Sequence, residues 1–333
     1  MSDLIFACGH RKSGTSLFLN LLDGHPEINA IPGDIALLYA YFPHWTDGDY
    51  DAAARRRRID AVLFDDYAAN VGDKCAAAGI DLGKWKTAVQ EALADDELED
   101  IAAVLRAVVA GWRECTPRSA NKKWVAIKET GIEFYADALS EAFETARFIQ
   151  VVRDPRDNFA ALKSGVSKKY RKLGQDEGDT LLSLLIRVQA SLRFAHLNER
   201  SIGADRYRAV RFEDIVGAPE DTMAELARWL GIDMSAELTR PTFLGEPTRG
   251  NSHDDVAFNG ISAIHLGAWR DRISEDEAKV VEFHLGREME DFGYRRQFAE
   301  RDAAHAWSGF YKWFNHKYFF ADRFASAGGR SEP

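Results

Sequence analysis

Short apolar runs alternate along this chain with stretches whose apolar residues recur every three or four positions, the two periods that separate strands from helices. Residues 4–8 read as a first strand. After a turn, Leu17, Phe18, Leu21 and Leu22 mark a helix opening at Thr15 and closing at Gly24-His25-Pro26. A turn-rich link, Ile31-Pro32-Gly33-Asp34, leads to the apolar run 35–42, and residues 51–115 read as several helices, among them the periodic Ile101, Val104, Leu105, Val108 and Val109. Strands resume at 124–127, 148–152 and 207–212, with helices expected near 134–144, from Pro155 toward Ser167, over about 177–200, and over 219–230. Residues 245–272 are Gly-rich and polar and read as a long functional loop, followed by a helix over about 275–289. In the aromatic tail 306–324, Trp307, Phe310, Tyr311, Trp313, Phe314, Tyr318, Phe319, Phe320 and Phe324 predict a helix packed on the domain.

Strands alternating with helices predict an α/β fold in which a mainly parallel sheet is covered on both faces. The pattern implies a three-layer, P-loop-like arrangement forming one domain over residues 1–325, with a helical insertion at about 45–120 and a flexible tail at 326–333. Ligands of such sheets bind at the carboxyl ends of the strands. Arg11 and Lys12, Lys128, Arg153, and Glu213 with Asp214 each fall just after a strand, so four strand ends converge on one rim.

Composition narrows the function. The chain has 333 residues, 46% hydrophobic, enough for a sizeable core. Its 43 Lys and Arg against 53 Asp and Glu leave a net charge of −10, which argues against nucleic acid as a partner. Cys8, Cys75 and Cys115 are odd in number and lack a CxxC pair, which fits a reducing compartment and a cytoplasmic protein. No stretch reads as a transmembrane segment, and no cluster reads as a metal site.

The stretch Gly9-His10-Arg11-Lys12-Ser13-Gly14-Thr15-Ser16 joins the first strand to the first helix, where backbone N–H groups and the helix N-terminus together attract phosphate. It resembles a P-loop with one displacement: Thr15 stands where a nucleotide hydrolase has its lysine, and the lysine sits inside the loop at Lys12. That change disfavours an ATP or GTP hydrolase. Two alternatives remain from other classes, a P-loop nucleotide kinase and a nucleotide-binding module without catalysis.

Four segments together resemble the sulfotransferases that use 3′-phosphoadenosine 5′-phosphosulfate (PAPS) and release 3′,5′-adenosine bisphosphate (PAP), with similarity to the tyrosylprotein and carbohydrate branch. The loop from Arg11 to Ser16 is similar to that family's 5′-phosphosulfate loop. Val151-Val152-Arg153-Asp154-Pro155 resembles its 3′-phosphate motif, Arg211-Phe212-Glu213-Asp214 its adenine-side strand, and Gly267-Ala268-Trp269-Arg270 the loop that closes over the cofactor. The resemblance implies that Arg11, Lys12, Ser13, Gly14, Thr15, Ser16, Arg153, Phe212, Arg270 and Arg272 bind PAPS, without a metal. In the family a serine follows the 3′-phosphate arginine by eight residues; here Ala161 stands there, and Ser164, one helical turn on, is the substitute, or else Arg270 and Arg272 share the task.

The same resemblance casts Lys12 and Lys128 as groups that stabilise charge around the moving sulfuryl group, and Asp34, in Gly33-Asp34, as the base that takes the acceptor's proton. The alternative for Asp34 is a helix cap for the run 35–42. His25 and Ser252 are further candidates for contact with acceptor or sulfonate. The expected acceptor is a hydroxyl or amine on a carbohydrate, lipid or small metabolite. Residues 55–58, four consecutive arginines, read as a solvated helix face or as an attractor for an anionic acceptor. The tail aromatics read as core or, with Lys312 and Lys317, as a peripheral membrane contact. A homodimer is left open.

Overall fold

In the computed structural model, which describes residues 3–48, 50–94, 96–117, 122–166, 176–248 and 260–321, the first strand lies in the middle of the sheet. Five parallel strands run in the order β2-β3-β1-β4-β5: β1 (Asp3–Cys8), β2 (Ile28–Ala30), β3 (Trp124–Lys128), β4 (Arg147–Val152) and β5 (Tyr207–Arg211). Register sets Ile5 opposite Ala126 on one side and Arg147 on the other. Every residue of β3, and all of β1 and β4 beyond their first residues, is buried, as expected of a parallel sheet with both faces covered. The mainly parallel α/β sheet read from the sequence is therefore observed.

Helix α1 (Thr15–Asp23) follows the first loop and stops at Gly24. Helix α2 (Leu37–Tyr41) is short, and β2, only three residues long, went unread in the sequence because so brief a run carries no period. The insertion between β2 and β3 contains α3 (Ala52–Ile59), a wider-wound turn at Asp60–Asp66, α4 (Tyr67–Ala77), α5 (Leu82–Ala92) and α6 (Ile101–Cys115). Asp51, Asp81 and Asp100 cap α3, α5 and α6 by accepting first-turn N–H bonds. Trp85 and Trp112 meet edge to face at 5.3 Å between ring centres, with Phe64 and Tyr67 against Trp85, and all four belong to the same buried core as Phe6 of β1 and Ile127 of β3. The arginine run is neither a bare solvated face nor an open anion attractor. Arg55, Arg56 and Arg58 donate to the backbone oxygens of Tyr41, Leu93 and Tyr39, and Arg55 and Arg58 also pair with Glu99 and Asp47.

Helix α7 (Ala136–Ala142) precedes β4, and α8 (Pro155–Lys163) opens with Asp154 as cap and Pro155 at its first position. Then come α9 (Glu177–Ile202), β5, α10 (Phe212–Gly217) and α11 (Pro219–Leu230), which ends at Gly231 in the left-handed region. Phe212, expected at the end of a strand, instead opens α10. A two-stranded antiparallel hairpin (Thr242–Phe243 with Glu246–Pro247), α12 (Trp269–Arg272), α13 (Glu275–Asp291) and α14 (Glu300–Asn315) complete the chain. Ser274 and Glu277 form a reciprocal capping box at α13.

The structure divides into two compact units. The first holds residues 1–153 and 190–264, with the whole sheet; the second holds 154–189 and 265–333. Within the second, α14 lies along α13, with Trp307 stacked on Phe283 and His284. The tail aromatics are not core: Ala303 is the buried residue of α14, while Tyr311, Tyr318, Phe319 and Phe320 are exposed. Helical spacing had shown one apolar face but not what covers it.

Candidate active site

The loop after β1 takes its shape from three residues in the left-handed region, Gly9 (φ 131°), Lys12 (φ 65°) and Gly14 (φ 107°). A Cβ on Gly9 would stand 2.3 Å from the carbonyl oxygen of Val151, and one on Gly14 would stand 2.2 Å from the Phe212 ring. Both positions therefore require glycine. The Ser13 amide donates to His10 O at 3.0 Å and closes the turn. The N-cap of α1 is Gly14, which has no side chain to cap the helix, and backbone N–H groups at such a helix start are suited to an anion. The Ser13 hydroxyl is buried and meets no hydrogen-bond partner among the described residues. An uncapped helix start, an orphaned buried hydroxyl and Lys12 within one turn suit a bound phosphate group.

Arg153 follows β4 and reaches this loop. Its NH1 donates to Lys12 O at 3.0 Å, and its guanidinium carbon lies 4.5 Å from the centre of the Phe212 ring. Phe212 is thus close to both Gly14 and the Arg153 cation. Only 9% of each residue is exposed, so the guanidinium has lost most of its water and favours an anion.

Asp34 and Lys128 meet beside the β3 end. Lys128 Nζ donates to Asp34 Oδ2 at 2.7 Å, and the same oxygen accepts from the amide and hydroxyl of Thr130 at 3.3 and 3.1 Å. Lys128 is 6% exposed, whereas the Asp34 side chain is 36% exposed. Asp34 Oδ1 accepts the Ala36 amide at 3.3 Å, so Asp34 also makes the turn before α2. Next to this pair, Glu129 is 1% exposed and accepts the amides of Leu38 and Tyr39 at 3.1 Å each. Burial first, and then the charge of Asp34, push its carboxyl up to about 8.

His25 lies at the far end of α1, about 13 Å along the helix from the loop. It is fully buried, with Nε2 on Asp233 O at 2.9 Å and Nδ1 accepting the Glu27 amide at 3.2 Å. These bonds tie it into the fold, away from the group of Lys12, Arg153, Asp34 and Lys128. Ser252 lies outside the described residues. In the second unit the Ser164 hydroxyl donates to Ala161 O at 3.0 Å, at the end of α8. Asp157 of α8 accepts the amides of Gly267 and Trp269 at 2.7 and 2.8 Å, which fixes the Gly-Ala-Trp stretch. Trp269 is buried, and the guanidinium carbons of Arg156 and Arg270 lie 4.5 and 4.7 Å from its ring centre. Among the described residues, no group of three His, Cys, Asp or Glu is placed to hold a metal ion.

A sequence profile described as "Sulfotransferase family" matches residues 4–236, which include the loop, Asp34, Lys128, Arg153 and Phe212. The chain belongs to the sulfotransferase family. It is similar to a protein-tyrosine sulfotransferase of Drosophila melanogaster, 25% identical over 285 residues that cover 82% of this chain and 48% of that protein. It is also similar to an omega-hydroxy-beta-dihydromenaquinone-9 sulfotransferase of Mycobacterium bovis, 25% identical, covering 54% of this chain and 44% of that one. The chain spans about half the length of these two curated relatives. Among solved structures it shares its fold with the sulfotransferase domain of the curacin biosynthetic pathway (TM-score 0.56, 16% identity, 89% of this chain and 99% of that one). The sulfotransferase domain of a Synechococcus olefin synthase gives a TM-score of 0.52 at 20% identity, covering 89% of this chain and 98% of that one.

Within this sulfotransferase fold, three carboxylates do positioning work that the sequence did not disclose. Glu129 holds the start of α2, and Asp157 holds the Gly267–Trp269 backbone. Glu133 is buried beneath the loop, where Oε2 accepts the Gly9 amide at 3.2 Å and Oε1 accepts the Ser191 hydroxyl at 2.6 Å. Each works across a long sequence separation, so no local pattern marks it.

Proposed function

We propose that this chain transfers a sulfuryl group from PAPS to a hydroxyl or amine of a carbohydrate, lipid or small-metabolite acceptor. The observation that carries the reading is the loop itself: a lysine inside the turn, an uncapped α1 and an orphaned Ser13 hydroxyl, with Arg153 bonded to the Lys12 backbone. Lys12 and the first-turn N–H groups of α1 hold the 5′-phosphate side, with Arg11, Ser13, Thr15 and Ser16 around them. Arg153 takes the 3′-phosphate, and Phe212 offers its ring to adenine. Arg270, Arg272 and Ser164 are proposed as further cofactor contacts.

When bound, PAPS supplies a sulfuryl group whose S–O bond to the 5′-phosphate breaks as the new bond to the acceptor forms. Lys12 offsets the charge that develops on the leaving phosphate oxygen, a role in which fixed donors act without reorganising. Lys128 holds Asp34 beside the sheet rim and faces the same charge. Asp34 takes the acceptor proton at Oδ1, whose bond to Ala36 is long. A metal is not required in this reading, because Lys12 and the first-turn N–H groups of α1 cover the charge at the 5′-phosphate and Arg153 that at the 3′-phosphate.

The named acceptors of the relatives, protein tyrosine and a menaquinone-derived lipid, motivate testing both polar and lipid acceptors. The described residues include no helix long and apolar enough to cross a membrane. A cytoplasmic location is part of the proposal, supported by three buried, unpaired cysteines. The exposed Tyr311, Tyr318, Phe319 and Phe320 support a peripheral membrane contact.

The test is transfer of label from PAPS into a panel of sugars, phenols, lipids and amines, with calorimetry of PAP in the absence of Mg²⁺. Transfer to any acceptor with tight PAP binding supports the reading. Preference for Mg-ATP over PAP would turn it toward a kinase.

A further inference from the structure

Glu129 follows Lys128 in sequence, yet its two oxygens face another element. They accept the second and third amides of α2, those of Leu38 and Tyr39, and so cap a helix that no side chain of its own caps. Ala36, just before α2, sits in the left-handed region at φ 50°, an unfavourable place for a residue with a Cβ. The segment from Gly33 to Ala36 is therefore held out of its relaxed shape by anchors on either side. One anchor is Asp34 on Lys128 and Thr130; the other is Glu129 on Leu38 and Tyr39. Both anchors belong to the same few residues at the end of β3.

We propose that Glu129 is a positioning residue for the reaction, a clamp that fixes the α2 start to β3 and thereby holds Asp34 in line with Lys128. This rests on the reading of Asp34 as the base. The clamp is strongest when Glu129 is ionised, because a carboxylate offers both oxygens as strong acceptors and a neutral acid offers one good acceptor. The charged and titratable groups around it are Asp34, Lys128, Tyr39, Tyr135 and, beyond Tyr135, Arg58. Burial, together with the Asp34 charge, pushes the Glu129 carboxyl up to about 8, against the two amides and Lys128. Ionisation and clamp strength thus change in the range where the enzyme would be assayed, and activity gains a step there.

The test compares Glu129→Gln, Glu129→Asp and Asp34→Asn with the wild-type chain in kcat against pH, KM for PAPS, and PAP affinity by calorimetry. Glu129→Gln is expected to lower kcat by about 10-fold to 100-fold, the scale of an ångström-sized misplacement of a reacting group. PAP affinity should stay within about twofold, since Glu129 does not touch the loop. The rise in kcat through about pH 8 should vanish in Glu129→Gln and persist in Glu129→Asp, which keeps the charge. A role confined to folding would change thermal stability without erasing that step. If Glu129→Gln does not fold, Glu129→Asp alone decides, through a lowered kcat at unchanged PAP affinity.

A Glu129→Gln profile that superimposes on wild type, or PAP affinity that falls together with kcat, overturns the clamp. Loss of turnover in Asp34→Asn with an unaltered Glu129→Gln removes the clamp and leaves the base in place. Full turnover in Asp34→Asn removes both.

Discussion

Arg153 donates to the main-chain oxygen of Lys12 at 3.0 Å, so the cation proposed for one phosphate of PAPS also sets the backbone of the loop proposed for the other. Removing it should injure both ends of the nucleotide site. Arg153→Ala is expected to weaken PAP binding by about 10-fold to 100-fold, the worth of one or two charge-assisted hydrogen bonds. Arg153→Lys should recover little, because an ammonium lacks the planar fork of donors with which the guanidinium bonds the Lys12 carbonyl while its carbon stays 4.5 Å from the Phe212 ring centre. Calorimetric titration with PAP measures both.

Gly9, Gly14 and the Ser13–His10 bond shape the backbone of the turn that carries Lys12. Lys12→Ala should lower kcat by about 10²–10³-fold, the cost of removing one preorganised donor to a developing charge. Single-turnover transfer from labelled PAPS separates this loss from slower binding.

Gly9→Ala and Gly14→Ala should fail in different ways. At Gly9 the added carbon meets a fixed strand carbonyl 2.3 Å away, and the φ of 131° is closed to other residues, so the backbone strain alone costs about 1–3 kcal/mol. Thermal unfolding should show that loss. At Gly14 the added carbon meets a side chain, Phe212, which can swing aside and carry its contact with Arg153 away with it. Gly14→Ala is therefore expected to lose PAP affinity by a larger factor than its drop in stability suggests, a comparison made by calorimetry against melting.

Glu129 sets a pH dependence of stability with a definite sign. Its carboxyl is raised from an ordinary 4.5 to about 8 in the fold, so between these values the folded chain binds a proton that the unfolded chain has released. Stability from this group is present below about pH 4.5 and is lost as pH rises through 8. Glu129→Gln, which cannot ionise, should be more stable than wild type at pH 9 and equal to it near pH 5. Denaturant midpoints at the two pH values check this. A gain in stability together with a loss of activity in one variant would mark the carboxylate as kept for function.

Much of this site could be read from the chain because its parts sit at strand ends. The continuous apolar runs at 4–8, 124–127 and 148–152 located β1, β3 and β4 and with them Lys12, Lys128 and Arg153. What stayed hidden was reciprocal placement. Glu129 reads as one more charged residue after a strand, and its partners Leu38 and Tyr39 lie far upstream in a helix of five residues. The arginines at 55–58 had two readings as a charge run, and the backbone carbonyls that they bond are invisible to any pattern. The tail showed the reverse problem: its aromatic period is real, and α14 is a helix, but periodicity does not report whether a second surface lies on it.

The central place of β1 shapes how the chain must assemble. Its two neighbours, β3 and β4, lie on the far side of the whole helical insertion, so the middle strand of the sheet has nothing to pair with until those segments arrive. Trp85 and Trp112 of the insertion share one core with β1 and β3, and Trp112 Nε1 donates to Asn29 of β2 at 3.3 Å, so the insertion and the sheet bury their apolar faces against each other as that long loop closes. Lesions at Trp85 or Trp112 would then appear as slow, aggregation-prone maturation of the chain.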